Sequence, residues 1–256
     1  MQLPINTFKR DLNRTPAMLG TWLSTGATST AEALGFVGYD FLVVDMEHAP
    51  VDTPQMIELL RAIAGTPAAA LTRIPWNDTV MVKRALDAGA QSLMFPFVQN
   101  ADEAARAVAA TRYPPLGIRG VSTSNRANRY AKVGSYLQSA TDEICVVLQI
   151  ETAQAVDNIA SIAKVAGVDS LFLGPSDLSA SMGALGNPND ERVQSKLKEA
   201  AAICRSLGIS AGVLAPNPHV AAGYLSYGYS WVAIGSDMGM MVTRANEWLG
   251  TMRPNS

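Results

Sequence analysis

Histidine, cysteine and charge are all scarce in this 256-residue chain, and each shortage removes a class of function. Only His48 and His219 are present, so a three-histidine zinc site cannot be assembled. Cys145 and Cys204 lie far apart among apolar neighbours, which leaves neither a disulfide framework nor a CxxC motif and is the pattern of two buried thiols. Charged residues make up 16% against a usual ~25%, and 20 Lys+Arg against 22 Asp+Glu leave a formal net charge of -2. Nucleic acid therefore finds no basic footprint here. No stretch of 18 uninterrupted apolar residues occurs, and the N-terminal MQLPINTFKRDLNR has no apolar leader core, so a cytoplasmic protein without membrane contact is expected.

Two further absences concern mechanism and architecture. Lys9, Lys83, Lys132, Lys164, Lys196 and Lys198 all fall in helical or loop stretches and none in a strand, which disfavours Schiff-base chemistry at a desolvated lysine. The segment GTWLSTGATST carries neither GxGxxG nor a P-loop, which counts against an open, doubly wound nucleotide-binding sheet.

Apolar residues are plentiful, at 48%, and their arrangement is regular. Short runs recur at 18–23, 41–46, 69–74, 92–97, 144–150, 170–174, 210–214 and 231–235. They alternate with stretches of helical periodicity such as TPQMIELLRAIAG, NADEAARAVAATR, ETAQAVDNIASIAKVAG and NDERVQSKLKEAAAICRSLG. Most of the runs lack period-two alternation, as parallel strands covered on both faces do. Eight strand–helix units predict one α/β domain over 1–256, a (β/α)₈ TIM barrel. Asp52 or Thr53 with Pro54, and Asn100 with Glu103, mark helix starts, while Gly65, Gly167 and Gly208 mark ends. The stretch 112–143, rich in proline, glycine and arginine, reads as a long functional or interfacial loop.

Chemistry in such a barrel belongs at the C-terminal strand ends. Those ends carry Trp22; Asp45, Glu47 and His48; Arg73; Gln149 and Glu151; Asp177; and Ser236 with Asp237. Gln149 and Glu151 differ by two residues, so the pleat turns both the same way. Strands five and six are neighbours, which lets Glu151 and Asp177 share one hard divalent cation such as Mg²⁺ or Mn²⁺, with Co²⁺ as a further option. Either acid alone is equally read as a helix-start residue complementing a dipole. Asp45 and His48, three residues apart, suggest a carboxylate–imidazole pair poised for proton transfer, although a capping or surface histidine fits the same spacing. Arg73 at a buried strand end needs an anion, and a substrate carboxylate is favoured over a structural partner. His219, early in a helix, reads as a surface or capping residue.

The segments GTWLSTG, VVDMEHAP, TRIPWND, FPFVQNADEA, TRYPPLGIRGV, LQIET and GPSDLSASMG, continuing into GNPND, resemble the HpcH/HpaI aldolases over nearly the whole chain. These are class II, metal-dependent pyruvate aldolases acting on 4-hydroxy-2-oxo acids. The resemblance implies metal ligation by Glu151 and Asp177, pyruvate held by Arg73, and proton transfer by His48 with Asp45. Trp22, Gln149 and Leu214 would line the substrate pocket, and the backbone of Ser176 would touch the pyruvate carboxylate. It also implies a homohexamer with the last helix exchanged between subunits, and Asp87 entering a neighbour's acceptor pocket. From the sequence alone Asp87 is simply an acid near a helix end. Ser176 departs from the alanine common in the family. The small-molecule substrates expected are pyruvate, or hydroxypyruvate, and an aldehyde. The alternatives are a metal-dependent lyase or mutase of the citrate lyase or phosphoenolpyruvate-utilising type, and a non-catalytic barrel that binds an oxo acid.

Overall fold

The computed structural model describes residues 1–253. Its strands are β1 (Met18–Leu23), β2 (Phe41–Asp45), β3 (Ala69–Arg73), β4 (Ser92–Phe95), β5 (Cys145–Ile150), β6 (Ser170–Leu173), β7 (Ser210–Ala215) and β8 (Trp231–Ser236). They pair in parallel, each with the next, and β8 closes on β1. The expected barrel is thus the observed one, with strand bounds within two residues of the apolar runs. The helices are α1 (Thr7–Asp11), α2 (Thr28–Val37), α3 (Thr53–Ile63), α4 (Thr79–Asp87), α5 (Ala101–Thr111) and α6 (Tyr136–Glu143). They continue with α7 (Ala153–Asp157), α8 (Ile159–Ala163), α9 (Pro175–Ser181), α10 (Glu191–Ser206), α11 (Pro218–Tyr227) and α12 (Asp237–Met252). No helix among the described residues is long and apolar enough to cross a membrane.

Local chemistry sets the helix starts. Asp52 caps α3 by accepting the Gln55 N–H, and Asn100 caps α5 by accepting the Glu103 N–H at 2.9 Å. Glu103 returns the contact one residue early, to the Gln99 N–H at 2.8 Å. Two expectations need correction. The stretch 112–143 is not loop throughout, because its last residues form α6, whose buried Tyr136 and Ala140 pack on the core. The stretch after Glu151 is not one helix but two short ones, α7 and α8, divided at Asn158, whose backbone departs from helical geometry at φ -91° and ψ 0° and whose side-chain amide donates to the Gln99 carbonyl.

The apolar residues form two layers. One lies between the strands and the helices. The other fills the barrel with a column of aromatic rings. At its floor α1 acts as a plug, where Asn6 caps the helix and donates through Nδ2 to Ser92 Oγ and the Glu143 carbonyl. Phe8 of α1 meets Phe41 and Trp231 edge-on, both at 5.3 Å between centroids. Trp231 stacks on Phe172 at 4.9 Å, and Phe172 meets Trp22 at 6.0 Å. The Arg73 guanidinium lies over Trp22 at 4.3 Å. A continuous ring-to-ring contact therefore runs from the plug to the mouth.

Two glycines make that column possible. Gly20 is in register with Phe41, and Gly212 with Trp231. A Cβ at Gly20 would stand 2.4 Å from the Phe41 ring, and one at Gly212 would stand 2.2 Å from the Trp231 indole. We predict that Gly212→Ala lowers unfolding free energy by about 1–3 kcal/mol through overpacking, read as a lower urea midpoint at unchanged slope. Stability equal to that of the parent would show that the indole is free to move aside.

The last helix behaves unlike the others. Of α12 only Asp237 is buried, and Met238, Met240, Met241, Val242, Trp248, Leu249 and Met252 are exposed. Within a single chain this helix covers little of the barrel.

Candidate active site

Parallel packing brings the predicted residues of β1, β2, β3, β5 and β6 to one mouth, with one change of partners. Arg73 is 7% exposed, and its bidentate partner is Asp45, one strand away in direct register. Arg73 Nε donates to Asp45 Oδ1 at 2.8 Å, and Nη2 donates to Oδ2 at 2.7 Å. Its third nitrogen, Nη1, lies 2.8 Å from Glu47 Oε2, in an ion pair that leaves this buried oxygen without an aligned hydrogen bond. The anion expected for Arg73 is thus supplied by the chain itself. Three of its five N–H groups face the two carboxylates, which leaves two for a substrate.

The expected pairing of Asp45 with the His48 imidazole is corrected by the same geometry. Asp45 Oδ1 accepts the backbone N–H groups of Glu47 at 3.0 Å and His48 at 3.3 Å. An aspartate bonded to the N–H groups two and three residues ahead turns the chain back on itself. The imidazole is left exposed at the rim while the guanidinium occupies the carboxylate. Asp45 therefore positions Arg73. Glu47, a strand-end acid without a role assigned from sequence, is the residue that sequence reasoning undervalued. Its one signal was its place between two expected site residues.

On the opposite side, Glu151 is 1% exposed and Asp177 half-buried on the first turn of α9. Gln149 Nε2 donates to Glu151 Oε1, and the Phe97 N–H donates to Oε2 at 3.1 Å. Gly174 gives the carboxylate its space, since a Cβ there would lie 2.6 Å from Oε1. Burial, then the charges of Asp177 and Glu47, push the Glu151 carboxyl up to about 8, against smaller opposing effects of the Phe97 N–H and Arg73. Burial likewise pushes Glu47 up, partly offset by Arg73.

Two carboxyl groups thus flank the guanidinium, and two more, Glu151 and Asp177, lie within electrostatic reach of this cluster. Two buried polar atoms at this mouth, Gln149 Oε1 and Trp22 Nε1, have no protein partner. This donor set fits a divalent cation held by Glu151 and Asp177. The oxygens are hard ligands, the excess negative charge calls for a cation, and the orphaned amide and indole wait for water or substrate. No three His, Cys, Asp or Glu side chains among the described residues gather into a complete cage, so the pair would share the ion with water and ligand.

The remaining expected residues divide. Ser176 is exposed on the first turn of α9, and half-buried Leu214 packs against the barrel-filling cluster from β7. Asp237 is committed elsewhere, with Oδ1 accepting from Ser24 and Oδ2 from Thr25, which ties α12 to the loop after β1. Asp87 ends α4, at the end of the barrel away from its own mouth, and pairs at 2.8 Å with Arg119, which is 0% exposed. His219, in the first turn of α11, is exposed and has no part in the cluster.

A pH dependence follows from Glu151. In the folded chelator-treated protein this group holds its proton to about pH 8, whereas in the unfolded chain it releases it near 4.5. Its contribution to stability is therefore complete below the unfolded value and is lost as pH rises through the folded one. The expected outcome is that Mn²⁺ raises the melting temperature more at about pH 8.5 than at about pH 6, with Glu151→Gln abolishing the difference. Equal Mn²⁺ shifts at both pH values, unaffected by Glu151→Gln, would contradict this role.

Residues 18–243, from the first strand into the last helix, match HpcH/HpaI aldolase/citrate lyase. A Pseudomonas putida protein named 2-dehydro-3,6-dideoxy-6-sulfogluconate aldolase is 45% identical over 242 residues, covering 94% of this chain and 95% of its own. A Shigella flexneri protein named 4-hydroxy-2-oxo-heptane-1,7-dioate aldolase is 44% identical over 252 residues, covering 98% and 94%. Among solved structures, an HpcH/HpaI aldolase/citrate lyase family protein from Burkholderia cenocepacia superposes with a TM-score of 0.94 at 38% identity, over 97% of this chain and 99% of that one. With barrel, mouth and match extending over the same residues, the chain belongs to the HpcH/HpaI aldolase/citrate lyase family.

Proposed function

We propose that this protein is a class II aldolase, a carbon–carbon lyase that reversibly cleaves a 4-hydroxy-2-oxo acid into pyruvate, or hydroxypyruvate, and an aldehyde. The observation that carries the reading is the crowding of buried Glu151 by the charges of Asp177 and Glu47 beside the Asp45–Arg73–Glu47 cluster, with Gln149 Oε1 and Trp22 Nε1 unpartnered at the same mouth. The names of the relatives from Pseudomonas putida and Shigella flexneri point to the same reaction class.

Glu151 and Asp177 would hold Mg²⁺, Mn²⁺ or Co²⁺, which when bound polarises the 2-oxo group as a Lewis acid. Arg73 supplies fixed positive charge where the enolate oxygen develops, and it is already oriented by Asp45 and Glu47, so little reorganisation accompanies the reaction. Trp22 presents its indole N–H to the substrate, and its ring supports the guanidinium from below. The Gln149 amide holds Glu151 with its nitrogen and offers its oxygen to water or substrate. The exposed His48 imidazole takes the 4-hydroxyl proton during cleavage and returns it during synthesis. Leu214 and the Ser176 backbone complete the pyruvate side.

The uncovered apolar side chains of α12 support docking on another copy, in a homohexamer with exchanged terminal helices. Asp87, turned away from its own mouth and braced by buried Arg119, suits entry into a neighbour's acceptor pocket. In steady-state assays of pyruvate aldol synthesis with Mn²⁺, Arg73→Ala lowers kcat by about 10²–10³, the usual loss for one oriented oxyanion donor. Asp45→Asn lowers kcat in the same direction. A raised KM with kcat intact in both variants would overturn the assignment.

A further inference from the structure

Four non-glycine residues among those described have positive φ, and three of them, Arg129, Tyr130 and Ala131, form one consecutive turn in the long β4–β5 connection. The fourth, Phe97 at φ 54°, stands alone at the mouth, two residues past the end of β4. An L-residue with a Cβ avoids this region, and such a conformation persists only where the surroundings hold it. Here two bonds, to the end of β5 and to the residue that follows it, hold it. The Phe97 N–H donates to Glu151 Oε2 at 3.1 Å, and the next N–H, that of Val98, donates to the Gln149 carbonyl at 3.2 Å.

The left-handed turn lets consecutive N–H groups reach the segment 149–151, one at the Glu151 side chain and one at the Gln149 backbone. A strand-like residue 97 would send its N–H elsewhere, because successive groups in extended chain point in opposite directions. Gln149 Nε2 holds the other oxygen of Glu151, and Gly174 leaves room beside it. The Phe97 ring, by contrast, lies outward against the exposed Trp76, with centroids 6.3 Å apart.

We infer that Phe97 is a positioning residue for Glu151, and that its left-handed backbone, rather than its ring, orients the metal-binding carboxylate. The inference rests on the proposed role of Glu151 as a cation ligand. It predicts that tolerance of positive φ, not side-chain size, sets metal affinity at this position.

The test is a substitution series on the full chain, with Mn²⁺ affinity read by calorimetry and each fold checked by circular dichroism and melting. Phe97→Gly and Phe97→Asn suit the left-handed region and are expected to bind Mn²⁺ within about twofold of the parent. Phe97→Val and Phe97→Ile resist it and are expected to bind about tenfold more weakly, the usual scale for lost support of a ligand. Trp76→Ala removes the ring contact without touching the backbone and keeps parental affinity, so it remains informative if a β-branched variant does not fold. The opposite order, with Val and Ile near the parent and Gly, Asn and Trp76→Ala weakened, would make ring packing the determinant and overturn the inference. If Glu151→Gln binds Mn²⁺ as the parent does, the ligand reading itself fails. If Glu151 proves essential and the series is out of order, only the role of Phe97 falls.

Discussion

The mouth of this barrel depends on one interaction, the bidentate ion pair of Arg73 with Asp45. Both groups are buried, and a buried charge is costly unless it is paired with good geometry. Direct register between β2 and β3 provides that geometry, with two nearly equal bonds. Once it forms, other positions follow. The Asp45 carboxylate gathers the backbone of the β2 loop and sends His48 to the rim, and Glu47 reaches the third guanidinium nitrogen. One cation is then outnumbered by carboxyl groups. Glu151 responds as a buried acid without a counterion must, by favouring its protonated form.

The barrel floor and the mouth are parts of one construction. The α1 plug supports Phe8, Phe8 supports Phe41 and Trp231, and the ring contacts climb through Phe172 to Trp22, on which the guanidinium rests. Packing this many rings inside eight strands requires Gly20 and Gly212 as clearances. A site held to fractions of an ångström is best supported by packed rigid elements, and here the support extends the full depth of the barrel.

Much of this was legible in the sequence. Each of the eight apolar runs became a strand, because strands covered on both faces leave a continuous signal, and the polar residues interrupting their C-terminal ends mark the mouth. The sequence puts Glu151 and Asp177 at one mouth because they follow the ends of β5 and β6, which are neighbours in the sheet. Pairings between side chains were harder to read. Proximity in sequence points Asp45 to His48, whereas Arg73, 28 residues later, is its hydrogen-bonded partner in space. Phe97 reads from sequence only as the end of an apolar run, because a backbone angle leaves no mark on a phenylalanine. The helix α6 was hidden by the proline, glycine and arginine of the segment before it.

We propose that the excess of buried carboxyl groups at the mouth binds a divalent cation that activates pyruvate. The most direct measurement is the exchange of pyruvate methyl protons with deuterium, followed by NMR without any aldehyde present. Exchange with Mn²⁺ that stops after chelation and is absent in Glu151→Gln is the predicted result. Exchange that proceeds at the same rate in the chelated protein, or survives Glu151→Gln undiminished, would contradict it.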